Sequence, residues 1–332
     1  MNRIFRSSII DFTGVILLGF LLFVLSFGSG FGGSLDLPPS ILNLNTIFLS
    51  ILIEALPFVL IGVLIAGVIQ IFVTEEHIQR WIPKNKVLAV IMSCVVGALF
   101  PACECGIVPI VRRLISKGVP IYAAMGFMLT GPLINPIVIA STYMAFGNDF
   151  KIAGLRMGLG FFIAVVVAFA VSLLYKGNQF KQETANVQTN SLANNQPFLN
   201  KIWSMLTHSI DEFFDMAKFL ILGAFLAALV QTYMPAKSLL EAGSGPISSL
   251  VVMMGLAYVL SLCSEADAFI GASFSSIFPT SSILGFLIFG PMIDLKNTLM
   301  MVSVFRVKFV LGMLALVTST VFITLVLLQS FL

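Results

Sequence analysis

The sequence predicts an all-α polytopic membrane protein made of two inverted repeats, and three observations carry that prediction. Of its 332 residues 58% are hydrophobic and 10% charged, with a mean hydropathy of +1.05; soluble domains run at roughly 45–50% apolar and 25% charged. The apolar sequence falls into runs long enough to cross a bilayer, and Gly, Pro and ionisable residues interrupt several of them. The same pattern of runs and interruptions then occurs a second time. Each repeat is expected to hold three spans and one re-entrant helical hairpin, with a further transmembrane helix ahead of both.

Residues 1–44 are read as that N-terminal transmembrane helix and a loop. Arg3 and Arg6 precede an apolar run over 12–27, a layout shared with signal peptides, but no small-residue cleavage site follows it. The first membrane repeat occupies 45–175. Its opening run, about 45–72, exceeds the roughly 20 residues that a hydrocarbon core requires and carries Glu54 near its start. The loop after it holds His77, Arg80, Lys84 and Lys86, which marks the cytoplasmic side.

Residues 87–100 supply only roughly 21 Å of helix before the stretch PACECG at 101–106. The return from Ile107 ends at Arg112, Arg113 and Lys117, so two full spans do not fit. A hairpin that enters from the cytoplasm, turns inside the membrane and returns does fit. Pro101 and Gly106 bracket Cys103, Glu104 and Cys105, and irregular backbone at that depth is stable only when buried in protein or lining a wet cavity. The span over 119–146 is broken by GPLINP at 131–136, with Asn135 in the break. A span over 152–175 follows. Residues 176–202, rich in Asn, Gln, Thr and Ser, read as a cytoplasmic linker, and 203–332 as the second membrane repeat.

The repeat can be counted. Glu54, Phe58, Gly62 and Gln70 match Asp215, Phe219, Gly223 and Gln231 at an offset of 161. Cys103 and Cys105 match Cys263 and Glu265 at 160, and GFMLTGP at 126–132 matches GFLIFGP at 285–291 at 159, which carries Asn135 onto Asp294. An odd number of spans in each copy inverts the second against the first. Inverted repeats with broken helices place a binding site at the midplane, where the copies meet.

That geometry would gather Cys103, Glu104 and Cys105 with Cys263, Glu265 and Asp267, and Asn135 and Asp294 from the two Gly-Pro breaks. An ionisable group at this depth costs about 2.5–3.5 kcal/mol and is a functional candidate by default. Thiolates suit zinc, copper(I) and thiophilic metalloids, whereas carboxylates alone suit hard cations. Cys103, Cys105, Cys263 and Glu265 are therefore the candidate metal ligands, and zinc or another soft ion the candidate occupant; the sequence requires no cofactor. The plain alternative is that the cysteines fill helix interfaces as small hydrophobes, the stronger reading for Cys94. Glu54 and Asp215 are read as carboxylates at the positive ends of long helices, Arg156 and Arg306 as anchors of helix ends at the interface, and His77 and His208 as outside the cluster. The 31 Phe and 15 Met are read as packing and lipid-facing surface.

The runs PACECGIVPIVRRLISKG at 101–118, FMLTGPLINP at 127–136 and SLCSEADAFIGASF at 261–274 resemble a bacterial family of predicted permeases, the YraQ-like group, which includes ArsP-type efflux permeases for trivalent organoarsenicals. The Cys-Glu-Cys-Gly form looks most like the YcgR-type members. The resemblance implies an inner-membrane permease working beside a small YcgQ-type membrane partner, in the context of metal homeostasis. Glu104 stands where many members have Ser, and its charge favours a cation.

The expected function is movement of a soft metal, metalloid or related thiophilic solute by alternating access through a multi-pass protein of the cell membrane. The lipid bilayer is its first partner. A net charge of +3, spread over short loops, gives no reason to expect nucleic acid. No Walker pattern is present, and no enzymatic activity is expected. Two other readings are a scaffold that stabilises a partner membrane protein and a membrane thiol oxidoreductase; the latter usually employs Cys-x-x-Cys, not Cys-x-Cys.

Overall fold

The computed structural model describes residues 38–74, 78, 82–83, 85–101, 103–175, 177, 179–181, 198–233 and 245–329. The predicted N-terminal helix and most of the linker lie outside them. The first half contains α1 (Pro39–Phe72), α2 (Lys86–Leu99), α3 (Glu104–Ser116), α4 (Ile121–Ile134), α5 (Pro136–Ala145) and α6 (Phe150–Leu174). The second contains α7 (Phe198–Tyr233), α8 (Pro246–Leu260), α9 (Ser264–Ser273), α10 (Thr280–Met292), α11 (Leu295–Val304) and α12 (Val307–Leu328). One isolated antiparallel bridge, Phe180 with Phe305, is the β-type pairing among the described residues.

Six helical stretches are long and apolar enough to cross a membrane: α1, α4 with α5, α6, Ile202–Tyr233 of α7, α10 with α11, and α12. The protein is an all-α, multi-pass membrane protein. Its two broken spans form the interior, with 78% and 83% of their apolar windows buried, against 33–39% for the four unbroken ones. Exposed side chains on the unbroken spans, such as Ile53, Leu60 and Phe72 on α1 or Phe162 and Leu173 on α6, form an apolar outer surface suited to lipid.

Local chemistry explains the breaks. Pro101 follows the end of α2, whose C-cap Phe100 is extended, because the residue before proline is driven out of the helical region. Asn135 is extended between α4 and α5, and Pro136 opens α5, where its missing N–H costs nothing. In the second half Ile293 and Asp294 are both extended, two residues beyond Pro291. Pro39 likewise occupies the first turn of α1, so that helix begins ahead of the predicted boundary at 45. At its other end the linker assignment is shortened, since α7 already starts at Phe198.

The short pair α2 and α3 has 14 and 13 residues, the pair α8 and α9 has 15 and 10, and each is too short to span. Helices α1 and α7 run antiparallel along each other: Gly67 meets Ser209 and Met205, whereas Phe48 packs edge-on against Phe225 at 5.9 Å between ring centroids.

One end of the molecule gathers Lys86, Ser116, Tyr122, Tyr175, Phe180 and Phe305 around a cavity of about 440 Å³. Lys117, Lys181, Arg306 and Lys308 adjoin these positions in the chain, and basic loops face the cytoplasm. The turns 146–149 and 274–279 at the other end carry no Lys or Arg. At the cytoplasmic end residues 179–181 pair with 304–306: Lys181 N–H donates to Val304 O and Arg306 N–H to Gln179 O, and the rings of Phe180 and Phe305 stack at 5.6 Å.

Candidate functional site

Each of the four breaks ends in a helix N-terminus, at Glu104, Pro136, Ser264 and Leu295. Cys103, Asn135, Cys263 and Asp294 are the respective N-caps. Asn135 Oδ1 accepts from Val138 N–H at 2.9 Å and its Nδ2 donates to Gly131 O at 3.3 Å. Asp294 Oδ1 accepts from Asn297 N–H at 2.5 Å, and Cys263 Sγ from Ala266 N–H at 3.4 Å. These polar groups satisfy the free amides of a helix start. Asn135 thus commits both its carbonyl and its amide to local backbone.

The centre of the site is a lysine that the sequence reading passed over. Lys296, in the first turn of α11, is 3% exposed. Its ammonium lies 3.1 Å from Glu104 Oε1, 3.1 Å from Ser261 O and 3.8 Å from Asp294 Oδ2. It therefore ties α3 of the first half to α11 and to the segment between α8 and α9. Lys296 N–H also faces Ser261 Oγ at 3.5 Å. Ser261 has φ 48°, a left-handed conformation that a non-glycine residue adopts at a cost.

A second buried cation, Arg156 on α6, donates from Nη1 to Thr142 Oγ1 at 2.7 Å and from Nη2 to Ser264 O at 3.1 Å. Its charged neighbours are Asp267 and Glu265. Arg156 is 1% exposed, so the expected interfacial anchor is instead an interior strut joining α6 to the start of α9. Arg306 is exposed and holds Phe180 O through Nε at 3.3 Å. Asp267 is 2% exposed and its Oδ2 accepts no hydrogen bond; it abuts Gly290, where a Cβ would stand 3.1 Å from that oxygen. Three buried carboxylates, Glu104, Asp267 and Asp294, thus face two buried cations, Lys296 and Arg156.

The thiols divide. Cys103 and Cys105 are neighbours, with Glu104 and Lys296 also close to Cys105. Cys263 sits beside Glu54 and Glu265 instead. Cys103 and Cys263 are half-buried, whereas Cys105 is enclosed. Among the described residues no three His, Cys, Asp or Glu side chains are arranged to hold one metal ion. Cys94 is fully buried and packs where Gly126 has no side chain, the filler role expected of it.

Glu54 lies four turns into α1, so the helix-dipole account fails for it: a dipole acts within the first turn, and α1 begins at Pro39. Asp215 likewise lies well beyond the first turn of α7; its side chain is 73% exposed and meets Lys218 at 3.5 Å. His208 lines a small pocket with Gln70, Arg113 and Ser209 near the cytoplasmic end, away from the cluster. His77 lies outside the described residues.

The cytoplasmic end is fastened by charge. Glu212 on α7, 5% exposed, accepts from Arg112 Nη1 at 3.0 Å and from Arg113 Nη2. Lys117 Nζ donates to Gln70 O at 2.7 Å. Helices α3 and α11, which run from the breaks to the cytoplasmic end, pack on α1 and α7 respectively. Helices α5 and α9, which run to the opposite end, pack chiefly on each other. On that side the tip of the second hairpin reaches across, with Gln231 Nε2 donating to Leu260 O at 2.7 Å and Cys263 beside Glu54.

The chain is 51% identical to the UPF0718 protein YcgR of Bacillus subtilis over 271 residues, covering 82% of this chain and 92% of that protein. It is 41% identical over 275 residues to a protein of Streptococcus mutans described as a proposed subunit of a two-component membrane permease complex, covering 83% and 91%. No solved structure matches it. A family model, ArsP_1, described as a predicted permease, matches residues 40–330, a range that takes in all four breaks and both broken spans, and the chain belongs to this family of membrane permeases.

Proposed function

We propose that the protein is the transporting subunit of a two-component permease that moves a soft cation across the cell membrane by alternating access. The observation that carries this reading is the uneven packing of α1 and α7: they pack along the cytoplasmic half-helices α3 and α11, whereas the outer half-helices α5 and α9 pack chiefly on each other. A carrier whose two halves are inverted copies reaches its second state by exchanging such contacts. In this reading the Arg112, Arg113 and Glu212 contact is the cytoplasmic gate and the single Gln231–Leu260 contact lies opposite.

The donor chemistry supports the solute class of this reading. Cys103 and Cys105 supply a sulfur pair beside Glu104, and Cys263 and Glu265 stand half-buried on the outer side, a sequence of soft and anionic groups suited to zinc-like ions or trivalent metalloids. Cys263 and Glu265 receive the solute, Cys103 and Cys105 hold it, and Glu104, Asp267 and Asp294 balance its charge; Asn135 keeps the α4–α5 break open. The Streptococcus mutans relative's description supports a membrane partner protein, and a small YcgQ-type subunit suits that role. No catalytic step belongs to this reading.

The test is binding of zinc, cadmium and trivalent arsenic by the purified protein, followed by elemental analysis and calorimetry. Stoichiometric binding that vanishes in the Cys103→Ser, Cys105→Ser double variant is the expected result. If neither protein binds a soft ion and both support the same cellular phenotype, the thiol site is not the transport site.

A further inference from the structure

Lys296 places a buried ammonium at the centre of the site. Its ammonium is held by a carboxylate of the first half, a carboxylate of the second and a carbonyl at the hairpin tip, which is a coordination shell for a cation. Glu104 Oε2 is buried and accepts no hydrogen bond, and Asp294 Oδ2 meets the ammonium only at ion-pair distance, 3.8 Å, so the shell has capacity beyond what the ammonium uses. The carbonyl that completes it belongs to Ser261, the residue held left-handed between α8 and α9. Gly223 brings the Lys296 backbone close to α7, since a Cβ there would stand 3.0 Å from Lys296 Cα. The backbone of Lys296 is thus held against α7, and four methylenes separate it from the ammonium in the site.

The geometry points to a cation pocket formed by Glu104, Asp294 and the Ser261 carbonyl, in which the tethered ammonium of Lys296 is the resident ion of the empty carrier and is exchanged for a positively charged solute on loading. This deepens the reading of the protein as a cation permease and names the charge of what it carries. Unpaired carboxylates buried in a membrane protein are costly. With its own ammonium in the pocket, the empty carrier can reorient without exposing that cost. Loading a cation drives Lys296 out and breaks its bond to Ser261 O, releasing the tip of the second hairpin from α11.

The purified full-length chain tests this with methylammonium as the probe. Thermal unfolding is followed for wild type, Lys296→Ala and the Lys296→Ala, Glu104→Gln double variant, against tetramethylammonium at matched ionic strength. Methylammonium is expected to raise the unfolding temperature of Lys296→Ala saturably, by about 2 °C or more, and to leave wild type and the double variant unchanged. An equal response in all three proteins, or none in a folded Lys296→Ala, overturns the proposal. Should that variant not fold, acylation of Lys296 is measured by mass spectrometry in wild type and in Glu104→Gln. Several-fold faster modification in Glu104→Gln is expected, and equal rates overturn the proposal. Methylammonium has no affinity for thiols, so this outcome is read separately from soft-ion binding at Cys103 and Cys105.

Discussion

Gly62 and Gly223 stand 161 residues apart in equivalent places on α1 and α7, yet they admit different neighbours: Gly62 faces the backbone of Gly106 on α3, and Gly223 that of Lys296 on α11. The close approach of both cytoplasmic half-helices depends on these two missing side chains. Gly62→Ala would press a methyl group into the Gly106 carbonyl, and overpacking of this kind costs about 1–3 kcal/mol. Gly158→Ala, in α6 with nothing within 4 Å of the new atom, serves as the control and is expected to gain up to about 1 kcal/mol from helix propensity. Thermal unfolding in detergent compares them; equal behaviour would show that α1 and α3 are not in contact.

Glu212→Gln removes the charge that Arg112 and Arg113 share. Both arginine side chains are only 10–13% exposed, and losing one partner of a buried pair costs about 3–5 kcal/mol, less here because water reaches the edge. The expected functional signature is faster labelling of Cys103 by a membrane-impermeant thiol reagent applied to inverted vesicles, with labelling from the other face unchanged or slower. Unaltered cytoplasmic labelling would mean that Glu212 is not a gate.

Cys94→Ala separates packing from binding. It deletes a fully buried sulfur against Gly126, at a cost of about 1–2 kcal/mol in cavity terms, and is expected to leave soft-ion stoichiometry untouched. Cys103→Ser and Cys105→Ser should do the reverse, with little effect on unfolding and loss of binding. Calorimetry on the single variants distinguishes the two patterns.

The two caps at the broken spans offer a matched pair. Asn135→Ala and Asp294→Ala each remove an oxygen that receives a helix N–H, and each should cost about 1 kcal/mol from the cap alone. Asn135→Asp and Asp294→Asn keep that oxygen and should recover most of the loss in unfolding experiments. If Asp294→Asn is as damaging as Asp294→Ala, its charge toward Lys296, rather than its cap, dominates.

Much of the fold was legible because its interruptions are local. Pro101, Pro136 and Pro291 act on their own neighbours, and the shortness of 87–100 excludes a span by length alone. Cys103, Cys105, Asn135, Cys263 and Asp294 were singled out for the same reason, as polar residues inside punctuated apolar runs. What escaped was pairing. Lys296 meets Glu104 across 192 residues and Glu212 meets Arg113 across 99, and no periodicity in one segment encodes a partner in another. A lysine two residues after Asp294 in an apolar run was nevertheless a usable signal, since such a charge needs a partner. Arg156 was misread because its position near a helix start resembles an interfacial one, whereas the packing of α5 and α9 closes over it. The sulfur set was anticipated as one cluster, but Cys263 lies beside Glu54 and Glu265, whereas Cys105 lies beside Cys103, Glu104 and Lys296.

The strand-like pairing of 179–181 with 304–306 joins the two halves independently of the peptide connection between them. It welds the exit of α6 to the corner between α11 and α12 by two backbone hydrogen bonds and a ring stack, and the long α1–α7 contact joins the halves again elsewhere. The molecule should therefore survive as a two-fragment assembly. Residues 1–190 and 191–332, produced as separate polypeptides in one cell, are expected to co-purify.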